Sequence, residues 1–394
     1  MNSLDQLLAR GDLPRAKAEA ERLLAANPQD AAALVAMAKI HLVDGQLDQA
    51  EPFIARAEAQ GPSAQVHLLR GNAFGQKGQL AEAEEQYRKA LQLDPELAEA
   101  HFGLGMMIAK RGRISDAIES LQRAADASPD NPVFHFRLGQ ALCDVGRNDE
   151  GTPHLEAAIA RDPKFVPAYL ALAQLHATRG RLVDGRRVLD RGLKLLPKQP
   201  RLVAALTNVT ILQGDLKTAR RLATKLAKQH PDDPDAQGNL AHVYLLEGRR
   251  QDAFRICQRM TSLGRVNAQL KMAEATYWEG EKPPQFDKAI AAYQEAIAVD
   301  TEGWRAGNNL GQLLLRMKTD PPDQHVQRAL AVLEEAHRRK PDQVEPILNL
   351  ALAYVRAGEK AKGLELARQL AAAGLPQGHT ILDQAERLVR VLSE

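Results

Sequence analysis

The amino-acid sequence predicts an all-α solenoid of about eleven consecutive helix-turn-helix units, closed by one more helix. Three observations carry the prediction. Gly11, Gly45, Gly78, Gly112, Gly146, Gly180, Gly214 and Gly248 follow one another at spacings of 33 or 34 residues. Pro28, Pro62, Pro95, Pro129, Pro163, Pro197 and Pro231 run in step, each 17 residues after its glycine. Small residues keep the same register, five positions after the glycine (Ala16, Ala50, Ala83, Ala117, Gly151, Gly185, Ala219, Ala253) and seven before it (Ala38, Gly71, Gly105, Gly139, Ala173, Thr207, Ala241). A fixed period of this length means stacked supersecondary units, each burying its apolar face on its neighbours.

Within a unit the glycine ends the first helix, because a residue without Cβ can turn the chain. The proline ends the second, because it cannot continue a helix. Apolar residues fill i, i+3, i+4 and i+7 between these signals, as in Leu104, Met107 and Ile108 and in Ile114, Ala117, Ile118 and Leu121. In chain order the units begin near residues 1, 31, 64, 98, 132, 166, 200, 234, 266, 303 and 344. Residues 1–265 thus form a regular array of eight units. Residues 266–377 hold units nine to eleven, and 378–394 form an amphipathic capping helix for the open end. Unit eight carries Arg265 where the closing proline is expected, and unit nine ends on Thr301. Units nine and ten lengthen the inter-helix connection with Lys282-Pro283-Pro284-Gln285 and Thr319-Asp320-Pro321-Pro322-Asp323, read either as tolerated loop insertions or as a contact edge.

These residues resemble the tetratricopeptide repeat family, whose pattern unit three follows closely with Gly71, Phe74, Gly78, Ala83, Tyr87, Ala90 and Leu93-Asp94-Pro95. The resemblance spans nearly the whole chain. It implies a right-handed superhelix whose first helices line a concave groove, used for binding protein segments and not for catalysis.

The rest of the composition narrows the function. Lys plus Arg number 52 against 50 Asp plus Glu, so net charge alone argues for no polyanionic partner. No apolar run approaches the roughly 18 residues of a membrane span. Met1-Asn2-Ser3-Leu4-Asp5 lacks the features of a secretory signal. Cys143 and Cys257 stand alone, as in a reducing compartment. A cytoplasmic protein is expected, and 34 Arg against 18 Lys with abundant Ala suggests a bacterial source. No GxxxxGK[ST], GxSxG or HExxH motif occurs, so no enzyme, no cofactor and no metal site is expected. Gly103-Leu104-Gly105 lies mid-helix and is no phosphate loop. His67, His101 and His135, with Tyr169 after them, recur in register. Equivalent sites on stacked pairs lie about 10 Å apart, so these rings cannot share one ion and are read as packing.

Two surfaces remain for binding. Groove positions implied by the resemblance are Leu68, Phe102, Met106, Phe136, Arg137, Gln140 and Gln174 in the first half. Asn208, Asn239, Asn309, Gln312 and Asn349 follow in the second. Asn recurs before the Leu-Gly or Leu-Ala pair at 239, 309 and 349, and a row of amides can donate to and accept from an extended backbone. Lys39 with Asn72, and Lys110 beyond them, hold part of the family's clamp for a peptide carboxylate.

The second surface is electrostatic. Residues 1–100 hold 10 basic and 15 acidic residues, net −5, whereas residues 161–228 hold 15 basic and 4 acidic, net +11. The basic residues keep the repeat register. Arg187, Arg221 and Arg255 are 34 apart, as are Arg191, Lys225 and Arg259; Arg186 pairs with Arg220 and Lys194 with Lys228. Such tracks on second helices predict a convex basic ridge for an acidic protein surface, with self-association through the acidic first hundred residues as one way to supply it. Nucleic acid is disfavoured, because residues 170–243 contain no Phe, Tyr or Trp on which bases could stack. The sequence therefore points to a scaffold or adaptor that binds an extended peptide in the groove. A regulatory or substrate-presenting subunit of an enzyme complex is the alternative, and a nucleic-acid-binding solenoid the third.

Overall fold

A computed structural model describes residues 3–300, 303–317, 323–341, 343–372 and 380–393. Its described residues form helices and connections, with no strand. The first six pairs are α1 (Ser3–Ala9) and α2 (Leu13–Ala26), α3 (Ala31–Val43) and α4 (Leu47–Glu58), α5 (Ala64–Gln76) and α6 (Leu80–Leu93), α7 (Ala98–Lys110) and α8 (Ile114–Ala127), α9 (Pro132–Asp144) and α10 (Asn148–Arg161), α11 (Val166–Thr178) and α12 (Leu182–Leu195). Five more follow: α13 (Pro200–Leu212) and α14 (Leu216–Gln229), α15 (Pro234–Leu246) and α16 (Arg250–Ser262), α17 (Ala268–Glu279) and α18 (Phe286–Val299), α19 (Arg305–Arg316) and α20 (Asp323–Arg339), α21 (Val344–Arg356) and α22 (Lys360–Ala371). Helix α23 (Thr380–Ser393) stands alone after them. The fold is an all-α solenoid of helix pairs.

The turns explain the period. All eight repeat glycines have φ between 71° and 82°, and no described residue other than glycine has positive φ. At Gly248 the turn is a Schellman motif: Gly248 N–H bonds the Leu245 carbonyl at 3.0 Å and Arg249 N–H the Tyr244 carbonyl at 2.8 Å. A side chain there would strain the backbone. Several helix starts are fixed as locally, since the side chains of Asp12, Asp30, Asn131, Asp215, Asp233 and Asn267 accept backbone N–H groups of their own first turns. The missing proline of unit eight has the same kind of answer. Helix α16 ends at Gly264, φ 65°, with Gly264 N–H on the Thr261 carbonyl and Arg265 N–H on the Met260 carbonyl.

Close-packed contacts divide the chain into two compact units, Met1–Leu202 and Val203–Glu394. In the first, the largest apolar cluster gathers Tyr87, Leu104, Met107, Ile108, Leu121, Phe134 and Leu138 around the small residues Ala83, Ala100 and Ala117. The i, i+7 and i+11 leucines of α12, Leu182, Leu189 and Leu193, predict one buried stripe, and only part of it is buried. Leu189 is fully buried with Val188 beside it, while Leu182 and Leu193 are only half-buried. In the second unit, Leu310, Leu313, Leu314 and Leu333 build an equivalent core with Ala275, Ala289 and Tyr293. Helix α23 seats Ala385 in a cluster with Ile347, Leu348 and Leu370 and packs against α22. Thr301, residues 319–322 of the second lengthened loop and Gly378 lie outside the described residues.

Candidate protein-interaction surfaces

The first helices α3, α5 and α7 line a cleft of about 300 Å³ in the first unit. Leu68, Phe102 and Met106, three of the expected groove residues, meet there with Leu69 and Met107 to make its apolar wall. Lys39, Gln65, Asn72 and Glu99 are its polar groups beside Tyr87. An adjoining depression shares Lys39, Leu69, Asn72, Tyr87 and Met107 and extends to Lys110. The partial clamp residues are thus gathered around one surface.

Tyr87, a repeat residue from α6, forms part of the wall and orients the polar rim. Its hydroxyl donates to Asn72 Oδ1 at 2.8 Å, which leaves the Asn72 amide N–H groups for another partner. Burial pushes the phenol pKa up, so the hydroxyl stays a donor. The ring fits only because its neighbours lack side chains. A Cβ on Gly103 would lie 2.5 Å from the Tyr87 ring, and one on Gly71 2.6 Å from it. Tyr87, Leu69 and Met107 are not among the groove positions expected from the sequence. The signal that could have found the cleft is Gly103, a glycine in mid-helix with no turn to make.

The remaining groove positions of the first unit are spread out. Phe102 stacks on Phe134 with ring centres 4.7 Å apart, and Phe136 meets Phe165 edge-on at 5.3 Å. Arg137 lies over the Phe136 ring and donates to Gln140 Oε1 at 3.0 Å. Gln174 is exposed.

In the second unit the amides turn largely inward. Asn349 Nδ2 donates to Asn308 Oδ1 at 2.8 Å, both side chains being buried. Asn239, also buried, accepts from Gln269 Nε2 at 3.3 Å. Asn309 is half-buried, while Asn208 and Gln312 are exposed. The asparagine row is therefore partly engaged within the protein, a pairing between residues 30 and 41 positions apart that no local pattern announces.

The basic tracks lie on second helices, Arg186, Arg187, Arg191 and Lys194 on α12 in the first unit. Arg220, Arg221, Lys225 and Lys228 lie on α14, and Arg255 and Arg259 on α16, in the second. Much of the charge is matched internally. Arg187 pairs with Asp184 at 3.1 Å, Arg191 with Glu156 at 2.6 Å and Arg186 with Asp190 at 3.8 Å. Arg220 pairs with Glu247 at 3.3 Å, Arg255 with Asp252 at 3.4 Å and Arg259 with Asp232 at 3.2 Å. Arg221, Lys225 and Lys228 are exposed and make no ion pair among the described residues.

The recurrent rings pack as anchors. His101 Nε2 bonds the Pro95 carbonyl at 2.8 Å, His135 Nε2 the Pro129 carbonyl at 2.9 Å, and the Tyr169 hydroxyl the Pro163 carbonyl at 3.1 Å. Each ties a first helix to the proline six residues earlier. His67 turns instead to Gln86 at 2.9 Å. Among the described residues no group of three or more His, Cys, Asp or Glu side chains is placed to hold a metal ion. Cys257 is buried, its thiol pKa pushed up to about 12 by desolvation, and its Sγ lies 3.3 Å from the Leu270 carbonyl. No helix among the described residues is long and apolar enough to cross a membrane.

Family models described as tetratricopeptide repeat match residues 68–132 in one case and residues 7–73, 144–209 and 211–277 in another. No curated protein matches the chain. Among solved structures, a tetratricopeptide repeat protein from Parabacteroides merdae aligns at 14% identity with a TM-score of 0.52, covering 68% of this chain and 100% of that one. The human IFIT1 dimer with m7Gppp-AAAA aligns at 18% identity and a TM-score of 0.48, over 95% of this chain and 89% of that one. MamA protein aligns at 21% identity and a TM-score of 0.40, over 43% of this chain and 92% of that one. The first of these likenesses shows the fold.

Proposed function

The chain belongs to the tetratricopeptide repeat family, and on that premise we propose that it is a protein-interaction scaffold whose first unit holds an extended peptide segment across α3, α5 and α7. The observation that carries the reading is the cleft itself. An apolar wall of Leu68, Leu69, Phe102, Met106 and Met107 stands beside a rim bearing Lys39, Lys110 and the oriented Asn72 amide. An apolar peptide side chain would bury itself on that wall. A backbone carbonyl or carboxylate of the same segment would meet the two ammonium groups and the amide. Glu99, which also lines the cleft, disfavours an acidic residue beside it. Arg137, Gln140 and Gln174 extend the surface for a longer ligand, while Phe136, expected in the groove, is buried against Phe165; the exposed Asn208 and Gln312 offer amides on first helices of the second unit.

The test is selection of peptides from a random displayed library on the full chain, repeated on the Leu68→Glu/Met106→Glu variant after its helical circular dichroism has been matched to the wild type. Peptides with an apolar residue next to a carboxylate, enriched on the wild type and lost on the variant, support the groove. The same enrichment on both proteins sinks it.

A further inference from the structure

We propose that the solvent face of α14 is a second docking surface, a stripe of Lys217, Arg221, Lys225 and Lys228 that takes an extended protein segment carrying carboxylates at alternate residues. The proposal goes beyond the groove and needs none of its residues. It narrows the basic tracks to one helix by asking which of their charges the protein leaves unmatched.

On α12 and α16 the arginines at the repeat positions of Arg221 and Lys225 each lie against an acid, Asp184 and Glu156 in the first case, Asp252 and Asp232 in the second. Helix α14 differs. Residues 216–231 contain five basic residues and no Asp or Glu, and α14 is the one second helix of the eleven pairs without an acid. Arg220 reaches Glu247, a carboxylate that also lies 4.0 Å from Arg249. Asp215 is occupied as the N-cap, accepting from Thr218 N–H at 3.0 Å. Lys217, Arg221, Lys225 and Lys228 make no ion pair among the described residues and are all exposed. Together with Thr218 and Thr224 they line a depression of about 700 Å³ along this one helix.

That arrangement does not serve the helix. Lys217 sits in the first turn, where the helix dipole favours acids, and like charges at i, i+4 repel by a few tenths of a kcal/mol each. The internal interactions of the fold thus give no return for the charge. Its geometry suits an external ligand. Lys217, Arg221 and Lys225 are four residues apart, which on a helix places their backbone sites about 6 Å from one another. In an extended segment, side chains on one face recur every 6.6 to 6.8 Å or so. Three acids at alternate positions can therefore follow three cations with a small mismatch per step, which long Lys and Arg side chains absorb. Single-stranded nucleic acid is the competing polyanion. It would find no Phe, Tyr or Trp between residues 170 and 243 for its bases, which favours the peptide.

The test uses a fluorescein-labelled peptide of alternating Glu and Ser, titrated with the full chain and read by anisotropy at 50 and 300 mM salt. Removing two unmatched charges with Arg221→Gln/Lys225→Gln should weaken binding roughly tenfold. Arg187→Gln/Arg255→Gln, which removes two already paired charges, should change it less than about twofold. Equal losses in the two variants overturn the proposal, as does a wild type that ignores the peptide or prefers a dT12 oligonucleotide. A groove-selected peptide titrated beside it keeps the readings apart. Its affinity should survive the α14 variant whichever way the acidic peptide behaves.

Discussion

The two units use the polar residues of their first helices in opposite ways. In the first unit, Lys39 and Asn72 stand over a cleft with Tyr87 turning the Asn72 amide outward. In the second, Asn349 bonds Asn308 and Asn239 accepts from Gln269, so the amides hold neighbouring helices together. The same residue type on the same kind of helix borders a cleft in one place and bonds a neighbouring helix in the other. Glycines at 71 and 103 make room for the Tyr87 ring that bonds Asn72, whereas Asn308 and Asn349 are buried and bond each other.

The comparison can be broken most forcefully at Gly103. Replacing it with Ala puts a Cβ 2.5 Å from the Tyr87 ring, so the ring or α7 must move. A loss of about 1–3 kcal/mol is expected. Both tryptophans, Trp278 and Trp304, lie in the second unit. Urea unfolding followed by circular dichroism should therefore shift more than the tryptophan-fluorescence transition. Coincident shifts would mean the cleft is not local to the first unit.

The complementary change is Asn349→Leu, which leaves the Asn308 amide buried without its partner at a cost of about 1–3 kcal/mol. Here tryptophan fluorescence should report the loss. The double change Asn308→Leu/Asn349→Leu should recover part of it. If the single variant is as stable as the wild type, the amides are not structural.

Tyr87→Phe sharpens the contrast with less damage, removing one hydrogen bond worth about 0.5–1.5 kcal/mol. The Asn72 amide would then be free to turn, and a groove-selected peptide should bind a few-fold more weakly with little change in the unfolding midpoint. An affinity that improves would show that the tyrosine obstructs the rim and does not orient it.

Acid should separate the units most gently. His135 donates Nε2–H to the Pro129 carbonyl, and its Nδ1 lies 3.2 Å from His154 Nδ1, a contact in which one ring nitrogen donates and the other accepts. Burial first, and His135 second, lower the His154 pKa; burial also lowers those of His176 in the first unit and His242 in the second. A lowered folded-state value means that the unfolded chain binds the proton more readily. Stability from these groups is present above the ordinary histidine range of about 6.5 and is lost as pH falls through it. The circular-dichroism midpoint should drop between pH 7.5 and 5.5 more than the tryptophan midpoint does. His154→Gln should flatten that dependence.

Much of this architecture was legible beforehand, and for a local reason. Gly248 and Pro231 act on the chain within a few residues of themselves, through φ and through a missing N–H. Helix boundaries consequently follow from composition and spacing, down to Ala31, Ala64, Ala98 and Pro132 as helix starts. Even the exception at Arg265 is local, because Gly264 supplies the turn. The cleft was half legible. Leu68, Phe102 and Met106 followed from their place in the repeat, but Tyr87 entered only as a repeat residue, and its effect on Asn72 needed the ring's position. The basic tracks show the limit most plainly, since Arg187, Arg221 and Arg255 are identical by register and differ only in what lies beside them.

From the sequence alone came the repeat, the helix pairs, the terminating glycines and the positions at which charge recurs. Each depends on backbone conformation over fewer than about five residues or on a strict period. Only the tertiary structure decided which of those side chains are spent inside the protein. Asn349 with Asn308 at 41 residues, Arg191 with Glu156 at 35 and Arg259 with Asp232 at 27 are contacts between repeats. Their existence turns on side-chain reach and ångström-scale packing, which no one-dimensional spacing encodes. What those contacts leave over is a cleft in one unit and an acid-free stripe on α14 in the other, the two surfaces we propose for partners.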